Sequence, residues 1–208
     1  MHGIRNVFVS AALALICTDS HAQNARAAPA WTFSASASAY FVPDDTNYIQ
    51  PTVTADRGRL HLEARYNYED QKTGSGWVGY NFSVDRKVSL KVTPMMGGVF
   101  GRTAGIAPGF HTTFDWRRLE IYSEGEWVLN TREITDSFFY SWSEVTLAPR
   151  DWLQGGVVEQ RTRAYQSERD IQPGILVRLN YKRMSLTANV FNPDQKKPLY
   201  VISLAVEY

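Results

Sequence analysis

Between Arg59 and Glu69 the chain reads RLHLEARYNYE, and its two parities share nothing in character. Leu60, Leu62, Ala64, Tyr66 and Tyr68 occupy one; Arg59, His61, Glu63, Arg65, Asn67 and Glu69 occupy the other. An extended strand sorts side chains with a period of two onto opposite faces, whereas a helix would scatter both sets around its axis. Two environments suit a strand with one apolar and one charged face: a soluble sheet with a solvated side, or a wall with lipid outside and water inside. Similar alternation recurs from residue 31 to the end of the chain, and no stretch there sustains a helical period. The chain is therefore read as all-β.

Twelve strands are predicted, at about 31–42, 47–56, 59–69, 75–84, 87–97, 109–116, 118–130, 136–147, 151–164, 172–182, 184–192 and 199–208. Turn signals separate them, among them Pro43-Asp44-Asp45, Asp56-Arg57-Gly58, Asp85-Arg86, Ala148-Pro149-Arg150 and Asn192-Pro193-Asp194. If the first strand starts in the periplasm, the turns near 57, 85, 117, 149 and 183 lie on that side and are tight. Those near 44, 71, 97–108, 132, 168 and 195 lie outside, and most are longer and more polar. Short turns on one side and longer loops on the other suit an up-and-down antiparallel transmembrane β-barrel. A secreted soluble β-sandwich is the alternative fold.

The first thirty residues are a different kind of segment. Arg5 precedes an apolar run, Val7–Cys17, in which Ser10 alone is polar. Such a run is too short for a membrane helix, which needs about 20 apolar residues, but has the shape of a secretory signal peptide. Small residues at Ser20 and Ala22 favour a cut after Ala22, with Ala25 and Ala27 as the alternatives, so residues 1–22 are assigned as signal, 23–30 as a tail and 31–208 as the barrel. Ile16 precedes Cys17 where a lipidation signal wants a small residue, so Cys17, the only cysteine, leaves with the signal. No disulfide framework or thiolate metal site then remains.

The last strand carries the most specific signal. Tyr200, Ile202, Leu204, Val206 and Tyr208 alternate with Val201, Ser203, Ala205 and Glu207, and the chain stops on the aromatic. This resembles the C-terminal assembly strand of bacterial outer-membrane β-barrel proteins, porin-like and of the monomeric twelve-stranded type, with no motif that selects a subfamily. The resemblance implies localisation in the bacterial outer membrane, contact with its lipids, and recognition by the barrel-assembly machinery through the strand ending at Tyr208.

Aromatics, 13% of the chain, fit two interfacial girdles. Trp31, Trp116, Trp152, Tyr181 and Tyr208 fall near predicted periplasmic ends; Phe41, Tyr48, Tyr66, Tyr68, Trp127, Phe191 and Tyr200 fall near outer ends. Pro51 and Pro94, inside predicted strands, lack the N–H of a ladder bond and mark bulges or strand ends.

Parity also names the residues facing the lumen. The basic ones are Arg59, Arg65, Lys91, Arg161, Arg163, Arg178 and Lys182. The acidic ones are Glu63, Glu69, Asp115, Glu120, Glu124, Glu126, Glu144, Glu159 and Glu207, and both histidines, His61 and His111, join them. Signs segregate: Asp115, Glu120, Glu124, Glu126 and Glu144 form an acidic wall, Arg161, Arg163, Arg178 and Lys182 a basic one. A transverse field across a constriction would orient dipolar solutes; structural ion pairs inside a closed wall are the alternative. The twelve-stranded porins for acidic oligosaccharides look arginine-dominated, which the acidic wall here does not match. The longest outer connection, Gly97–Gly109 (GGVFGRTAGIAPG), is glycine-rich and nearly uncharged. It is expected either to fold into the mouth, with Phe100 and Arg102 narrowing it, or to be a mobile surface loop.

Function follows from these expectations. A net charge of +1 gives no bulk attraction to nucleic acid. His61-Leu62-Glu63 and His111-Thr112-Thr113 lack the His-x-Ser arrangement that the outer-membrane lipid hydrolases resemble, and the two histidines are too far apart in sequence to suggest zinc. No catalytic residue, metal or cofactor is assigned. The first reading is a small diffusion channel or solute-specific porin with a mixed-charge lumen, monomeric, passing a small polar solute. A non-conducting structural or envelope-assembly barrel with a packed polar interior is the second, an outer-membrane hydrolase the third.

Overall fold

The computed structural model describes residues 29–164 and 170–208, excepting the side chains of 162–164 and 170. The expected signal peptide, Cys17, most of the tail and the outer connection near 168 lie outside the described residues. Thirteen extended segments run β1 (Trp31–Phe41), β2 (Tyr48–Arg57), β3 (Leu60–Tyr66), β4 (Thr73–Tyr80), β5 (Phe82–Asp85), β6 (Ser89–Gly101), β7 (Gly105–Trp116), β8 (Leu119–Asn130), β9 (Phe138–Arg150), β10 (Leu153–Ala164), β11 (Asp170–Tyr181), β12 (Met184–Phe191) and β13 (Leu199–Glu207). Each pairs antiparallel with its chain neighbour, β1 pairs with β13 from Ser34↔Glu207 to Phe41↔Tyr200, and β4 and β5 both pair with β6. The sheet closes on itself as a twelve-stranded up-and-down barrel whose fourth strand is in two pieces. Closure removes the free edges that an open sheet would present.

The break in the fourth strand has a local cause. Gly79↔Met95 and Phe82↔Val92 flank it in one continuous register, and Pro94, with no N–H to give, sits opposite the gap. Asn81 donates its backbone N–H to Arg59 O instead, at 2.7 Å. Pro51 likewise lies just beyond the last β2–β3 pair, Thr52↔Arg65. Neither proline bends its strand out of register.

Connections at the end carrying Trp31, here the near end, are tight: Gly58-Arg59, Arg86–Val88, Arg117-Arg118, Asp151-Trp152 and Lys182-Arg183. Far-end connections at 42–47, 67–72, 131–137 and 192–198 are longer, and 131–137 holds a single 3-10 turn, Ile134–Asp136. One expectation fails here. Gly97–Gly101 belongs to β6 and Gly105–Gly109 to β7, paired from Val99↔Gly105 to Met95↔Gly109, so only Arg102–Ala104 turn. The glycines serve close packing: a Cβ on Gly105 would lie 2.1 Å from Leu129 O, and one on Gly97 would lie 2.4 Å from the Trp77 ring. Residues 97–109 form no loop to fold into the mouth.

Outward positions form an apolar belt around the wall, with Ile49, Val53, Val78, Met96, Ile106, Val157, Ile175, Val177 and Leu204 all exposed. Trp31, Trp116, Trp152, Tyr181 and Tyr208 are exposed toward the near end and Phe41, Tyr66, Trp127 and Tyr200 toward the far end, as two girdles require. Tyr48, Tyr68 and Phe191 depart from the expected outer girdle and turn inward. Tyr48 stacks on Tyr40 with ring centroids 4.6 Å apart, and Phe191 packs edge-on to Trp142 at 5.2 Å. For Tyr68 the reason is explicit: β3 ends at Tyr66, and Asn67 takes a left-handed φ of 57°, which resets the parity of the residues after it.

Candidate functional site

The barrel lumen gathers most of the charged residues that strand parity selected. Glu63 and Arg65 on β3, His111 on β7, and Glu124 and Glu126 on β8 meet in one network at mid-height. Glu120 on β8, Glu144 on β9 and Arg178 on β11 meet in a second. Lys91 lines a cavity toward the near end, and Asp115, opposite Glu120 in the β7–β8 register, stands at the near mouth.

Arg65 is the centre of the first network. Its side chain is 3% exposed and ion-pairs with Glu63 on its own strand, with Glu126 across the lumen at 2.8 Å, and with Glu69 at 3.9 Å. The guanidinium lies over the rings of Tyr68 and Trp77, 4.2 and 4.6 Å from their centroids. Arg65 Nη2 also stands 3.2 Å from His111 Nε2. Glu124 accepts hydrogen bonds from Tyr122, at 2.5 Å, and from Tyr68. His61, on the same face of β3, bridges Asp56 through Nδ1 and Glu63 through Nε2, each at 3.0 Å. Removing such groups from water costs several kcal/mol per ion, which only close pairing offsets. That is the physical reason the charges converge rather than spread along the wall.

In the second network Arg178 on β11 reaches four other strands, bonding Glu120 on β8 at 3.0 Å, Glu144 on β9, Gln154 on β10 at 3.2 Å and Thr187 on β12 at 3.1 Å. Glu144 also accepts from the Trp142 ring N–H at 2.9 Å.

Space between these networks is unevenly filled. A cavity of about 690 Å³ at the near end is lined by Asp56, His61, Lys91, Thr93, Thr113 and neighbours. Beside it runs a longer one of about 610 Å³, which reaches from Lys182 and Arg183 at the same end to Tyr40 and Tyr140 and is walled by Ser36, Ser38, Thr52, Glu120, Glu124, Glu144, Arg178 and Asn189, among others. A far-end vestibule of about 250 Å³ follows, and Tyr40, Gln50, Tyr68 and Tyr140 line both it and the longer cavity. Those four residues are the constriction. Beside them the lumen is packed: no water fits between Arg65, Tyr68, Trp77 and Tyr140. Two apolar clusters fill opposite walls there, Tyr40, Val158, Leu176, Phe191 and Val201 on one and Trp77, Met95, Val99, Ala107 and Val128 on the other.

Several expected lumen residues lie elsewhere. Arg59 sits in the near-end turn, where its Nη1 donates to Tyr80 Oη at 2.8 Å on the outer face. Arg161 pairs in register with Ile171 and Ser141 and shares the parity of the exposed Val157, so it faces outward, and Glu159 between them does the same. Arg163 has the same backbone parity, and its side chain is outside the described ones. The strand misled because Val157 and Val158 are both apolar; Val158, Gln160 and Gln154 are the inward set. Of the expected basic wall, Arg178, already paired with two acidic residues, and Lys182, in the near-end turn, line the lumen. Phe100 is exposed on the outer face of β6, and Arg102 pairs with Asp70 at the far rim, its Nε donating at 2.7 Å. Neither narrows the mouth.

Residues that sequence parity did not select include Tyr40, Tyr68, Tyr122, Tyr140 and Trp142, whose rings build the narrow zone. Their alternation with the outward Ile121, Phe139 and Val145 was present in the sequence. An inward aromatic, however, looks like an outward one until the strand's parity is known. The histidines have carboxylates and an arginine, rather than a serine hydroxyl, as side-chain partners among the described residues.

No family model and no curated protein matches this sequence. Among solved structures, the barrel is similar to a KdgM porin, with a TM-score of 0.61 at 10% identity over 83% of this chain and 98% of that one. It is also similar to a KdgM porin in complex with disordered oligogalacturonate, with a TM-score of 0.60 at 7% identity over 84% and 98%. The chain has the twelve-stranded barrel fold of these porins.

Proposed function

We propose that this chain is a monomeric outer-membrane channel that passes small neutral or cationic solutes. The observation that carries the reading is the run of polar cavities along the axis of a barrel whose outside is apolar and whose inside is charged. Its near end, where the turns are tight, lies in the periplasm. Lumen carboxylates at Asp56, Glu63, Glu69, Asp115, Glu120, Glu124, Glu126, Glu144 and Glu207 outnumber the cations Arg65, Lys91, Arg178, Lys182 and Arg183 among the described residues. A surplus of one sign raises the local concentration of opposite charge and opposes like charge. The neighbouring porin was solved with oligogalacturonate, a chain of carboxylates, and the acidic surplus here disfavours such a polyanion.

Reconstitution of the refolded barrel into planar bilayers tests this. Discrete conductance steps are expected, with a reversal potential in a KCl gradient of the sign for cation preference. Anion preference would refute the solute class. Inserted protein without any steps would refute the channel and leave a structural barrel, the reading that the Arg65 network and the packed apolar walls favour.

A further inference from the structure

The two histidines stand 50 positions apart on strands that are not neighbours in the sheet, yet their rings meet in the lumen with centroids 5.9 Å apart. His61, Glu63 and His111 each direct one ligand atom into the same small volume, all within 4.8 Å of one another. His61 Nε2 to Glu63 Oε2 is 3.0 Å, and His111 Nε2 to the same oxygen is 3.9 Å. A tetrahedral ion with metal–ligand bonds of about 2.0–2.1 Å holds its ligands roughly 3.3 Å apart. The set is therefore within a small imidazole rotation of a closed site. We propose that His61, Glu63 and His111 form a binding site for a divalent transition-metal ion in the barrel lumen.

Three further observations point to an ion rather than a hydrogen-bonded wall. First, His61 is oriented as a metal-bound histidine is. Its Nδ1 faces Asp56 Oδ1 at 3.0 Å, and Asp56 is itself held by Asn81 Nδ2 at 2.5 Å, which aims the Nε2 lone pair into the cluster. A carboxylate behind the ring fixes the tautomer and raises its basicity as a ligand. Second, Glu124 Oε2 stands 3.4 Å from His111 Nε2 and offers a fourth ligand. Third, Asp56, Glu63, Glu69, Glu124 and Glu126 are five carboxylates joined to Arg65 directly or through the two histidines, and beside them only Lys91, near Asp56, adds a second permanent cation among the described residues. A dication offsets part of that surplus.

Access is provided, since His61 and His111 line the near-end cavity while Glu63, His111 and Glu124 line the longer one beside it. The group that must yield is Arg65 Nη2, which lies 3.2 Å from His111 Nε2. It keeps Glu63 Oε1 and Glu126 when it moves. Imidazole with carboxylate suits Zn²⁺, Co²⁺, Ni²⁺ or Cu²⁺ rather than Mg²⁺ or Ca²⁺, which prefer oxygen alone.

The site stands apart from the question of conduction, so its test is made on the refolded full barrel in detergent. Titration with Co²⁺ is expected to saturate at one ion per chain and to produce the visible absorption of a low-symmetry Co²⁺ site. Zn²⁺ should displace it, whereas Mg²⁺ in large excess should not. His61→Gln and His111→Gln should each abolish stoichiometric binding, and Asp56→Asn, touching only the far side of His61, should weaken it about 10–100-fold. A variant counts only if it keeps the heat-modifiable gel migration of a folded barrel. A folded wild-type barrel that takes up no Co²⁺ overturns the proposal whatever the variants do, as does full binding by the folded double His variant.

Discussion

Arg65 carries more of this interior than any other single residue. Its side chain and those of Glu63 and Glu126 are each 3% exposed, so deleting the cation strands two buried carboxylates against each other. Arg65→Met is expected to destabilise the barrel by about 3–5 kcal/mol, read from reversible urea unfolding in lipid vesicles. Adding Glu63→Gln and Glu126→Gln should recover most of that loss, because the cost comes from unpaired charge rather than lost packing. A loss under about 1 kcal/mol for Arg65→Met would show that water reaches the network freely. Tyr68 and Tyr140 make the complementary case: their rings meet edge-on at 5.6 Å across the constriction. Trimming both to Ala should raise single-channel conductance in bilayers, and an unchanged value would place the narrow zone elsewhere.

Among the strands, the β6–β7 hairpin shows how little glycine content says about mobility. Gly97 faces inward beneath the Trp77 ring, while Gly98 faces outward with nothing within 4 Å of where a Cβ would be. Gly97→Ala should therefore cost about 1–3 kcal/mol by overpacking, and Gly98→Ala should stay within about 0.5 kcal/mol. Equal effects in parallel urea titrations would contradict the register seen here. The segment reads as a loop by composition because glycine commonly marks turns. In the barrel those glycines let large neighbours approach the backbone, and Val99 and Ala107 fill the inner wall while Phe100 and Ile106 join the outer belt.

For the whole molecule, the decisive property is that apolar surface is outside and charge inside, the reverse of a soluble sandwich. Ile175 lies near the middle of β11 and is exposed on the belt. Ile175→Arg is expected to cost about 2–4 kcal/mol of folding free energy in a bilayer. The same change in a soluble sheet would be close to neutral on an exposed face. Refolding yield into vesicles, compared for Ile175→Arg and Ile175→Val, separates the two settings.

Strand number, hairpin order and the near-end turns were legible in the sequence, because period-two alternation and turn chemistry are local properties of the backbone. Much of the candidate site was legible too: Glu63, Arg65, Lys91, His111, Asp115, Glu120, Glu124, Glu126, Glu144 and Arg178 all follow from parity. Arg59 and Arg161 did not, since a charge at the rim can face out toward headgroups and water, and one ambiguous valine pair inverts a strand. Who meets whom across the lumen is a matter of closure and register. Arg65 on β3 reaches Glu126 on β8, and His61 on β3 reaches His111 on β7, because the barrel brings non-neighbouring strands face to face. Burial then forces each inward charge to find a partner, and no local pattern in the chain records which one it finds.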